Sequence, residues 1–564
     1  MAEAFAFRQL LDASGLDFLI PAVHSLPWEF RVLATSLFAP ASATPVMSCQ
    51  RIRGAVHARR LNNMKLDARI HHQQEIELKL AFPASDPSSL EKRLARMPML
   101  ARRKVTHLQL HSVYYDTPDQ VLRRKNVSLR VRRNGGEAQS QWLQTLKIGG
   151  RNDSALSQRD EWEAPVPSDL LALHALKATP WSDIDPDGTV FRAMVPCFTT
   201  TFDRTNWQVR RRDGSVVEVS LDVGKIAAGD KSTSLCELEI ELLAGLPAAL
   251  FDIAQQIANT VALTPLNTSK SERGYALAQD SLCAPLRARP PTLTSKMLLC
   301  DAAQRVLREM FCQFTTNLNA LRTSDDPEVV HQARVGWRRF KSALRLFKPV
   351  LAAGGVPSYE SLRPFLTFLG ELRDLDVALN ETLPTWADDY RAGDPRREEK
   401  WQAMTQALAN AAALSRKSIR YALEVPSLGA NLLAITQWME ALSTSTGRDE
   451  SSRDKKTSLR PWARRRIVRL HGQLKVALRD VGNPVSQHRA RILAKRLRYG
   501  IEALRPLLPT HQTKRWCAQA TNLQMSIGSM RDVMQAGVLA AKAEADSGIV
   551  EFLRGVAVGM EGSK

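Results

Sequence analysis

Short runs in which charged and apolar residues alternate constrain the fold of this chain more than any other feature. The first is Glu75-Ile76-Glu77-Leu78-Lys79, and its two-residue period predicts a β-strand whose charged side chains all lie on one face. Acidic residues concentrate in some of these runs and basic residues in others. A sheet that closes with its charged face inward would enclose a channel lined by both signs of charge. The later runs are Ser128–Arg132, Thr145–Lys147, Arg159–Glu163, Glu218–Asp222 and Glu237–Glu241.

Such a channel would suit a polyanion bound together with a divalent cation. Arginine and lysine donate strong charge-assisted hydrogen bonds to phosphate oxygens. Carboxylate oxygens are the hard ligands that Mg²⁺ and Mn²⁺ prefer. The alternative is that the inward charges only neutralise one another. Buried ion pairs add little net stability, so a barrel filled with them would need a functional reason.

The composition points to several domains and to an anionic partner. The 564 residues exceed one typical domain, and the net charge of +20 indicates a phosphate polymer, a nucleic acid or an anionic membrane surface as partner. No run approaches the roughly 18 apolar residues of a transmembrane helix. The seven cysteines lack CxxC spacing, so we expect reduced thiols, no zinc site and a cytoplasmic protein.

Changes in pattern along the chain divide it into five segments. The apolar residues before Met64 show no regular period, so we expect a disordered leader or a start assigned too early, with an unrecognised genuine segment as the alternative. Helices are predicted from Pro87 to about Met97 and from Leu246 to Val261. The expected segments are a leader at 1–63, a strand-rich domain at 70–280, a linker at 281–295, a helical domain at 296–545 and a tail at 546–564.

The helical segment contains an internal repeat. His331-x-x-Arg334 and His488-x-x-Arg491 each open a basic run. Each run is followed, at similar spacing, by a second matching element, Leu369–Asp374 in one copy and Ile527–Asp532 in the other. Two elements that recur in order predict two similar helical bundles related by a pseudo-two-fold axis.

The basic residues of each copy fall on one helical face, because they are spaced by three, four or seven positions. Like charges on one face destabilise a helix by a few tenths of a kcal/mol per pair, so a row of them indicates a missing anionic partner. The alternative is a solvated face opposite acids of neighbouring helices. The first stripe is His331, Arg334, Arg338, Lys341 and Arg345, and the second stripe is His488, Arg491, Lys495 and Arg498.

The motifs of both halves resemble known families. Glu75–Lys79, Tyr114–Pro118 and Lys270-x-x-Arg273-Gly274 resemble, in order, motifs of the CYTH superfamily, the triphosphate tunnel metalloenzymes. His331-x-x-Arg334-Val335 and Leu369-Gly370-x-x-Arg373-Asp374 resemble the CHAD domain. The whole arrangement is similar to that of the bacterial CYTH–CHAD inorganic triphosphatases.

The resemblance implies a fold for each half. Residues 70–280 would form an α+β domain, an antiparallel eight-stranded β-barrel around a hydrophilic tunnel. Residues 296–545 would form an all-α CHAD domain of two pseudo-symmetric helical bundles. The expected protein is therefore multidomain, with the barrel before the helices.

The resemblance also implies a chemistry, the hydrolysis of inorganic triphosphate with Mg²⁺ or Mn²⁺. Lys147 and Glu161 occupy the positions expected to orient and deprotonate the attacking water. No Ser-His or Cys-His pair suggests a covalent route, so direct hydrolysis is expected. The helical domain would bind long-chain polyphosphate through its two stripes, and polyphosphate granules are a proposed place of association.

Each tunnel residue has an expected role. Lys225 directly follows Gly224 and is expected to point away from the tunnel, and Tyr114 and Tyr115 are interpreted as packing residues. The expected phosphate ligands are Lys79, Arg130, Arg132, Arg159, Arg204, Lys270 and Arg273. The expected ligands of a first metal are Glu75, Glu77 and Glu239, with Asp222 and Glu237 as weaker candidates for a second.

Other functions remain open at this point. A thiamine-triphosphatase or an adenylate cyclase could use the same tunnel, but each needs a pocket for an organic group. A non-catalytic polyphosphate-binding protein is the alternative from another class, and the intact Lys147 and Glu161 argue against it. We expect no nucleic-acid partner, because the stripes lack interleaved aromatic residues for base stacking, and no membrane partner.

Overall fold

The computed structural model describes residues 71–82, 87–135, 141–150, 153–351, 355–442, 458–479 and 484–562. The chain divides into two compact units, Met1–Lys65 and Leu66–Lys564, and all described residues belong to the second. The expected leader at 1–63 and the expected start at Met64 lie outside the described residues.

Eight antiparallel strands close into a barrel, as predicted. Their order is β5-β4-β3-β2-β6-β7-β8-β1, and β1 pairs back with β5 to close the sheet, while the short β9 adds to β1. The strands are β1 (His71–Ala81), β2 (Val105–Asp116), β3 (Val127–Asn134), β4 (Gln141–Ile148), β5 (Leu156–Val166), β6 (Val195–Arg210), β7 (Val216–Ala228), β8 (Lys231–Ala244) and β9 (Thr264–Pro265).

The barrel has its polar face inside and much of its apolar face under helices. On β1, Glu75 and Glu77 line the interior, whereas Leu78 and Leu80 are fully buried on the outer side. Successive side chains of a strand point to opposite faces, so the alternation read in the sequence produces this separation directly. The helices that cover the barrel are α1 (Pro87–Ala95), α2 (Ala248–Ala258) and α3 (Lys270–Ala278).

The first two of these helices form where the sequence predicts them. Leu90 and Leu94 of α1 and the apolar side of α2 pack against the outer face of the strands in one core cluster. Helix α3 begins with a capping box, in which Ser269 accepts from the backbone N–H of Glu272 and the Glu272 side chain accepts from that of Ser269. Four-residue helices lie at Val121–Arg124, Trp181–Ile184, Thr189–Arg192 and Lys348–Leu351.

The chain after the barrel is helical and has one large core. Helices α5 and α11 carry the two basic stripes, and α6 and α12 carry the second elements of the repeat. Residues 547–562 of the expected tail form α13, whose Ile549 and Leu553 are fully buried in this core. The helices are α4 (Leu299–Ala320), α5 (Pro327–Leu346), α6 (Arg363–Val377), α7 (Leu383–Arg391), α8 (Pro395–Leu423), α9 (Pro426–Ala441), α10 (Leu459–Ala477), α11 (Pro484–Leu504), α12 (Thr510–Lys542) and α13 (Ser547–Gly562).

Two further expectations concern membrane-spanning helices and the state of the cysteines. Within the described part of the chain, none of the helices combines the length and the apolar character needed to cross a bilayer. Six cysteines in the same part are free thiols, and Cys312 among them is buried in α4.

Candidate functional site

Charged side chains from several strands meet inside the barrel around a cavity of about 160 Å³. Asp222 and Glu237 are fully buried beside this cavity, Arg273 bonds to Glu237, and Lys225 is exposed outside it. The predicted residues that line the cavity itself are Glu75, Glu77, Lys79, Arg130, Arg132, Lys147, Arg159, Glu161, Arg204, Glu239 and Lys270.

The acids of β1 are held by bases from neighbouring strands. Arg159 lies opposite Glu75 in the β1–β5 pairing, and its Nε donates to Glu75 Oε2 at 2.7 Å while its Nη2 donates to Glu77 Oε1 at 2.6 Å. Lys147 Nζ donates to both oxygens of Glu75 at 2.7 and 2.9 Å. Burial alone would raise the pKa of Glu75, but Lys147 and Arg159 outweigh it and hold that pKa far below its ordinary value.

Lys147 and Glu161 lie opposite each other on β4 and β5 and form an ion pair of 3.2 Å. Arg130 Nη2 is 3.7 Å from the same carboxylate oxygen, and Gln73 Nε2 donates to the other at 3.3 Å. Burial would raise the pKa of Glu161, but Lys147 and Arg130 together outweigh it and lower that pKa, which favours the ionised carboxylate. A group of this kind can orient a water and accept its proton.

Arg132 is a partly buried cation at the tunnel wall. Its Nε donates to Ser112 Oγ at 3.2 Å, and among the described residues no carboxylate forms an ion pair with it. Burial, Arg130 and Arg204 lower the pKa of Arg132 to about 10. An anion placed beside this guanidinium would relieve that repulsion, which makes Arg132 a strong candidate for a phosphate ligand.

Lys270 enters the tunnel from the first position of α3 and ends among three carboxylates. Its Nζ is 2.7 Å from Asp222 Oδ2 and 2.8 Å from Glu239 Oε1, and it also bonds to Glu237. Burial would lower the pKa of Lys270, but the three carboxylates outweigh it and raise that pKa. Arg204 joins the same group through Asp222 at 2.7 Å and Glu239 at 2.5 Å.

The acids converge in a different grouping from the one predicted for the first metal. Among the described residues, the carboxylates whose oxygens lie within 4.8 Å of one another are Asp222, Glu237 and Glu239. The register explains this, because Asp222 pairs with Glu237 across β7 and β8. Glu75 and Glu77 are instead held by bases on β4, β5 and β1. Asp222 and Glu237, which were predicted for a second metal, therefore form the tighter oxygen-rich cluster together with Glu239, which was predicted for the first.

Sequence reasoning missed several residues of the tunnel wall, three of which carry an ionisable group. Glu163 and Glu241 line the cavity, and both continue the two-residue period of a predicted strand, so strand parity could have identified them. Tyr114 also lines it, and its hydroxyl is 3.4 Å from Arg130 Nη1. Burial would raise the pKa of Tyr114, but Arg130 and its neighbours lower it. The tyrosine interpreted as packing therefore also faces the bases.

The named charges of the tunnel cancel when all are counted as ionised. A triphosphate that entered alone would therefore leave the tunnel strongly negative, which is costly in a buried site. Divalent cations entering with it would offset that charge. The eight bases are Lys79, Arg130, Arg132, Lys147, Arg159, Arg204, Lys270 and Arg273. The eight acids are Glu75, Glu77, Glu161, Glu163, Asp222, Glu237, Glu239 and Glu241.

The two basic stripes of the helical domain lie against each other. Arg338 of the first stripe is close enough to depress the pKa values of Arg491 and Lys495 in the second. Burial, Arg491 and Arg338 together lower the pKa of Lys495 to about 8. Arg531 of α12, which the sequence reasoning did not select, also acts on all three of Arg334, Arg491 and Lys495.

A cleft of about 480 Å³ runs along the first stripe. Arg334, Arg338, Lys341 and Arg345 line it, and Arg363 from α6 adds a base that the sequence reasoning missed. Arg363 comes from a distant segment, so spacing along the sequence could not reveal it. The described stripes thus form a continuous basic surface rather than two separate faces.

Two polar atoms of the first stripe lack a partner in the described part of the chain, although both are buried. They are His331 Nδ1 and Arg334 Nε. A Cβ added at Gly370 would lie 2.7 Å from Arg334 Nη1, so the glycine of the second element makes room for this guanidinium. Unpaired buried donors are costly, and an anion would satisfy them.

The ends of the stripes are less enclosed. His488 and Arg345 are exposed, and Arg498 is 3.6 Å from Glu502 and covers the ring of Tyr499. The middle residues of each stripe, which are partly buried and repel one another, are therefore the better candidates for anion binding.

Two family models match the chain in the order of its domains. The CYTH domain model matches residues 73–275 and the CHAD domain model matches residues 305–541. An inorganic triphosphatase of Haemophilus influenzae is 33% identical over 211 residues, which are 36% of this chain and 55% of that protein. The chain thus matches about half the length of that relative.

Two solved structures are also similar. The CHAD domain from the plant Ricinus communis is 28% identical, with a TM-score of 0.41, over 50% of this chain and 92% of that one. A Hippeastrum protein described as having a dominant triphosphatase activity is 17% identical, with a TM-score of 0.25, over 36% of this chain and 95% of that one.

Proposed function

This chain carries a CYTH domain followed by a CHAD domain, and on that basis we propose that it hydrolyses inorganic triphosphate to diphosphate and phosphate. The observation that carries the proposal is the tunnel itself, where Lys147 and Glu161 pair beside a wall of arginines. The name of the Haemophilus influenzae relative supports the same activity.

The lining of the tunnel favours an inorganic substrate over an organic triphosphate. Tripolyphosphate is narrow, and an eight-stranded barrel holds little more than one narrow ligand. Of the described residues around the cavity, Tyr114 is the one aromatic side chain, and its hydroxyl faces Arg130. A nucleobase or a thiazole ring would need more apolar surface than this lining offers.

The hydrolysis divides between binding and proton transfer. Arg132 and the other bases hold the phosphate oxygens, while Lys147 and Glu161 hold a water in line with the terminal phosphorus. Glu161 accepts a proton from that water as its oxygen bonds to phosphorus. The bond from the terminal phosphorus to the bridging oxygen breaks, and diphosphate leaves with that oxygen.

A divalent cation fits the acidic cluster of Asp222, Glu237 and Glu239. All three offer hard carboxylate oxygens, which Mg²⁺ and Mn²⁺ prefer, and the cluster contains no sulfur or nitrogen ligand. When bound, the cation would neutralise phosphate charge in a tunnel whose named acids and bases are equal in number. Lys270 now compensates these carboxylates and would share them with the ion.

The helical domain is proposed to bind long-chain polyphosphate on the joined stripes. The mutual repulsion of Arg338, Arg491 and Lys495 and the unpaired donors of the first stripe support an anionic partner. A long anion that touches both stripes gains avidity over one that touches a single stripe.

A substrate panel tests the catalytic proposal. Purified full-length protein is assayed for phosphate release from tripolyphosphate, ATP, thiamine triphosphate and long-chain polyphosphate, each with Mg²⁺ and with Mn²⁺. We expect tripolyphosphate to have the highest kcat/KM. Glu161→Gln should lower kcat by about 10²-fold or more, because it removes the proton acceptor. Asp160→Asn is the matched control, because Asp160 is the neighbouring acid on the opposite face of β5 and pairs with His72. A higher kcat/KM for an organic triphosphate would replace the inorganic proposal.

A further inference from the structure

The segment from Leu263 to Ser269, which contains β9 and leads into α3, is largely buried although most of it is neither helical nor extended. Leu263, Thr264, Leu266 and Asn267 are each less than one tenth exposed. Buried backbone and side-chain polar groups need partners, and this segment cannot supply its own. Its partners come from the barrel on one side and from the helical domain on the other.

Helix α4 of the helical domain provides most of these partners. Asn319 Nδ2 donates to the carbonyl oxygen of Pro265 at 2.9 Å, and Thr264 Oγ1 donates to Asn319 Oδ1 at 2.6 Å. Asn267 Nδ2 donates to Thr315 Oγ1 at 2.7 Å. Thr315 and Asn319 lie four residues apart and so share one face of α4.

The same helix also holds the chain beyond α3. Asn317 accepts from the backbone N–H of Leu286 and donates to its carbonyl oxygen, both at 3.0 Å. Helix α3 is therefore bracketed by hydrogen bonds from α4 on both sides. Helix α9 touches the segment as well, because a Cβ added at Gly429 would overlap the carbonyl oxygen of Leu263.

The bracketed helix delivers Lys270 to the tunnel. Lys270 follows Asn267 by three residues and is the first residue of α3. The backbone N–H of Leu266 also donates to the carbonyl oxygen of Lys79 at 3.0 Å, which ties the segment to β1. A shift of the segment would therefore move the Lys270 ammonium away from the carboxylates of Asp222 and Glu239, which it meets at 2.7 and 2.8 Å.

We propose that Thr315 and Asn319 of the helical domain are positioning residues for the tunnel, which act by fixing Lys270 among its carboxylates. This inference rests on the proposed function of the tunnel and assigns the helical domain a part in substrate binding there, separate from polyphosphate binding on its stripes. Neither residue touches the cavity, so their effect passes through Asn267 and the start of α3.

The test uses full-length Thr315→Val, which keeps the shape of the side chain and removes the closer of two hydroxyl acceptors of Asn267, the other being Thr316 Oγ1 at 3.3 Å. KM for tripolyphosphate with Mg²⁺ should rise about three- to tenfold, the effect of one lost buried hydrogen bond. Thr315→Ser, which keeps the hydroxyl, should restore the wild-type KM. Asn319→Ala is a second variant with the same expectation, should Thr315→Val not fold.

The matched control is Thr436→Val in α9. Thr436 is similarly buried in the helical domain, but its hydroxyl donates to Leu432 of its own helix at 2.9 Å rather than to the segment that precedes α3. Thr436→Val should lose about as much thermal stability as Thr315→Val and keep the wild-type KM. An equal rise in KM in the control would attribute the effect to general loosening and overturn the inference.

A double-mutant cycle tests the route through Lys270. In a Lys270→Ala background, Thr315→Val should change KM by less than about twofold, because the group that it positions is absent. If Thr315→Val raised KM by the same factor in the wild-type and the Lys270→Ala backgrounds, the inference would be overturned. The affinity for tripolyphosphate, measured by calorimetry, should follow the same pattern. A wild-type protein that binds tripolyphosphate without hydrolysing it contradicts the proposed function, whereas wild-type affinity in Thr315→Val contradicts only this inference.

Discussion

At the scale of single residues, a substitution of Arg132 best distinguishes substrate binding from the chemical step. Arg132 is partly buried, hydrogen-bonded to Ser112 and repelled by Arg130 and Arg204. Arg132→Ala should raise KM for tripolyphosphate on the order of tenfold to a hundredfold, the worth of a hydrogen bond between charged groups. Its kcat should change much less, because the residue does not touch the water.

The control for this variant lies next to it in the chain. Arg133 belongs to the same strand but points to the opposite face, so Arg133→Ala removes an equal charge without touching the tunnel. Steady-state phosphate release measures both variants. A fall in kcat at unchanged KM for Arg132→Ala would reverse the assigned role.

Substitutions of Glu239 and Glu77 test which carboxylates bind the cation. Glu239→Gln keeps the shape and removes one charge from the cluster with Asp222 and Glu237, so the rise in Tm that Mg²⁺ causes without substrate should be lost. Glu77 pairs with Lys79 and Arg159 instead, so Glu77→Gln should keep that rise while lowering activity. Differential scanning fluorimetry across a Mg²⁺ titration measures both. If Mg²⁺ raised the Tm of Glu239→Gln as much as that of the wild type, the cation site would instead be assigned to Glu75 and Glu77 of β1.

At the scale of elements, the packing of α5 against α11 sets the pH response of the stripes. Arg491 and Arg498 on its own helix, Arg338 on α5 and Arg531 on α12 all face Lys495, and its pKa is lowered to about 8. Bound polyphosphate favours the charged amine, so affinity should rise as pH falls through about 8 and then level off. Lys495→Arg should remove this step, because a guanidinium stays charged.

His331 should contribute at lower pH than an exposed histidine would. Burial and Arg373 lower its pKa below the ordinary value near 6.5. The affinity of catalytically inactive Glu161→Gln for long-chain polyphosphate, measured between pH 5 and 9.5, should therefore show its main step near 8. The same step in the Lys495→Arg variant would assign the titration to another group.

The joined stripes predict a loss of binding that leaves the tunnel intact. Arg334→Glu with Arg491→Glu reverses one central base on each stripe and should abolish polyphosphate binding, while kcat/KM for tripolyphosphate stays within about twofold. Arg396→Glu with Lys417→Glu makes the same change of charge on exposed positions of α8 and should bind normally. Unchanged polyphosphate binding in the stripe variant would remove the case for this surface.

The sequence predicts the secondary-structure elements better than it predicts the contacts between them. Side chains alternate between the two faces of a strand, so the inward direction of Glu75, Glu77 and Lys79 could be predicted from neighbouring residues alone. The same alternation would have placed the overlooked Glu163 inside the barrel. The convergence of Lys270 with Asp222 could not be read, because it depends on the β7–β8 register and on where α3 is anchored. The contact between Arg338 and Lys495 likewise depends on how two distant helices pack.

At the scale of the whole molecule, helix α4 of the helical domain forms hydrogen bonds to the segment that leads into α3 of the barrel domain. The order of domains and the closed barrel were implied by the resemblance of the motifs to known families, and both are confirmed. The hydrogen bonds from α4 to the segment before α3 involve unremarkable asparagine and threonine residues, and no motif marks them. Contacts of this kind become visible only when the two domains are placed together.

The central claim is that the tunnel cleaves the terminal bond of inorganic triphosphate with a divalent cation. The most direct measurement is the product ratio from tripolyphosphate, followed by ³¹P NMR with Mg²⁺, with EDTA and with the Glu161→Gln variant. The account predicts equal amounts of phosphate and diphosphate with Mg²⁺, and little of either with EDTA or in the variant. Equal rates with and without EDTA, or full activity in Glu161→Gln, would contradict it.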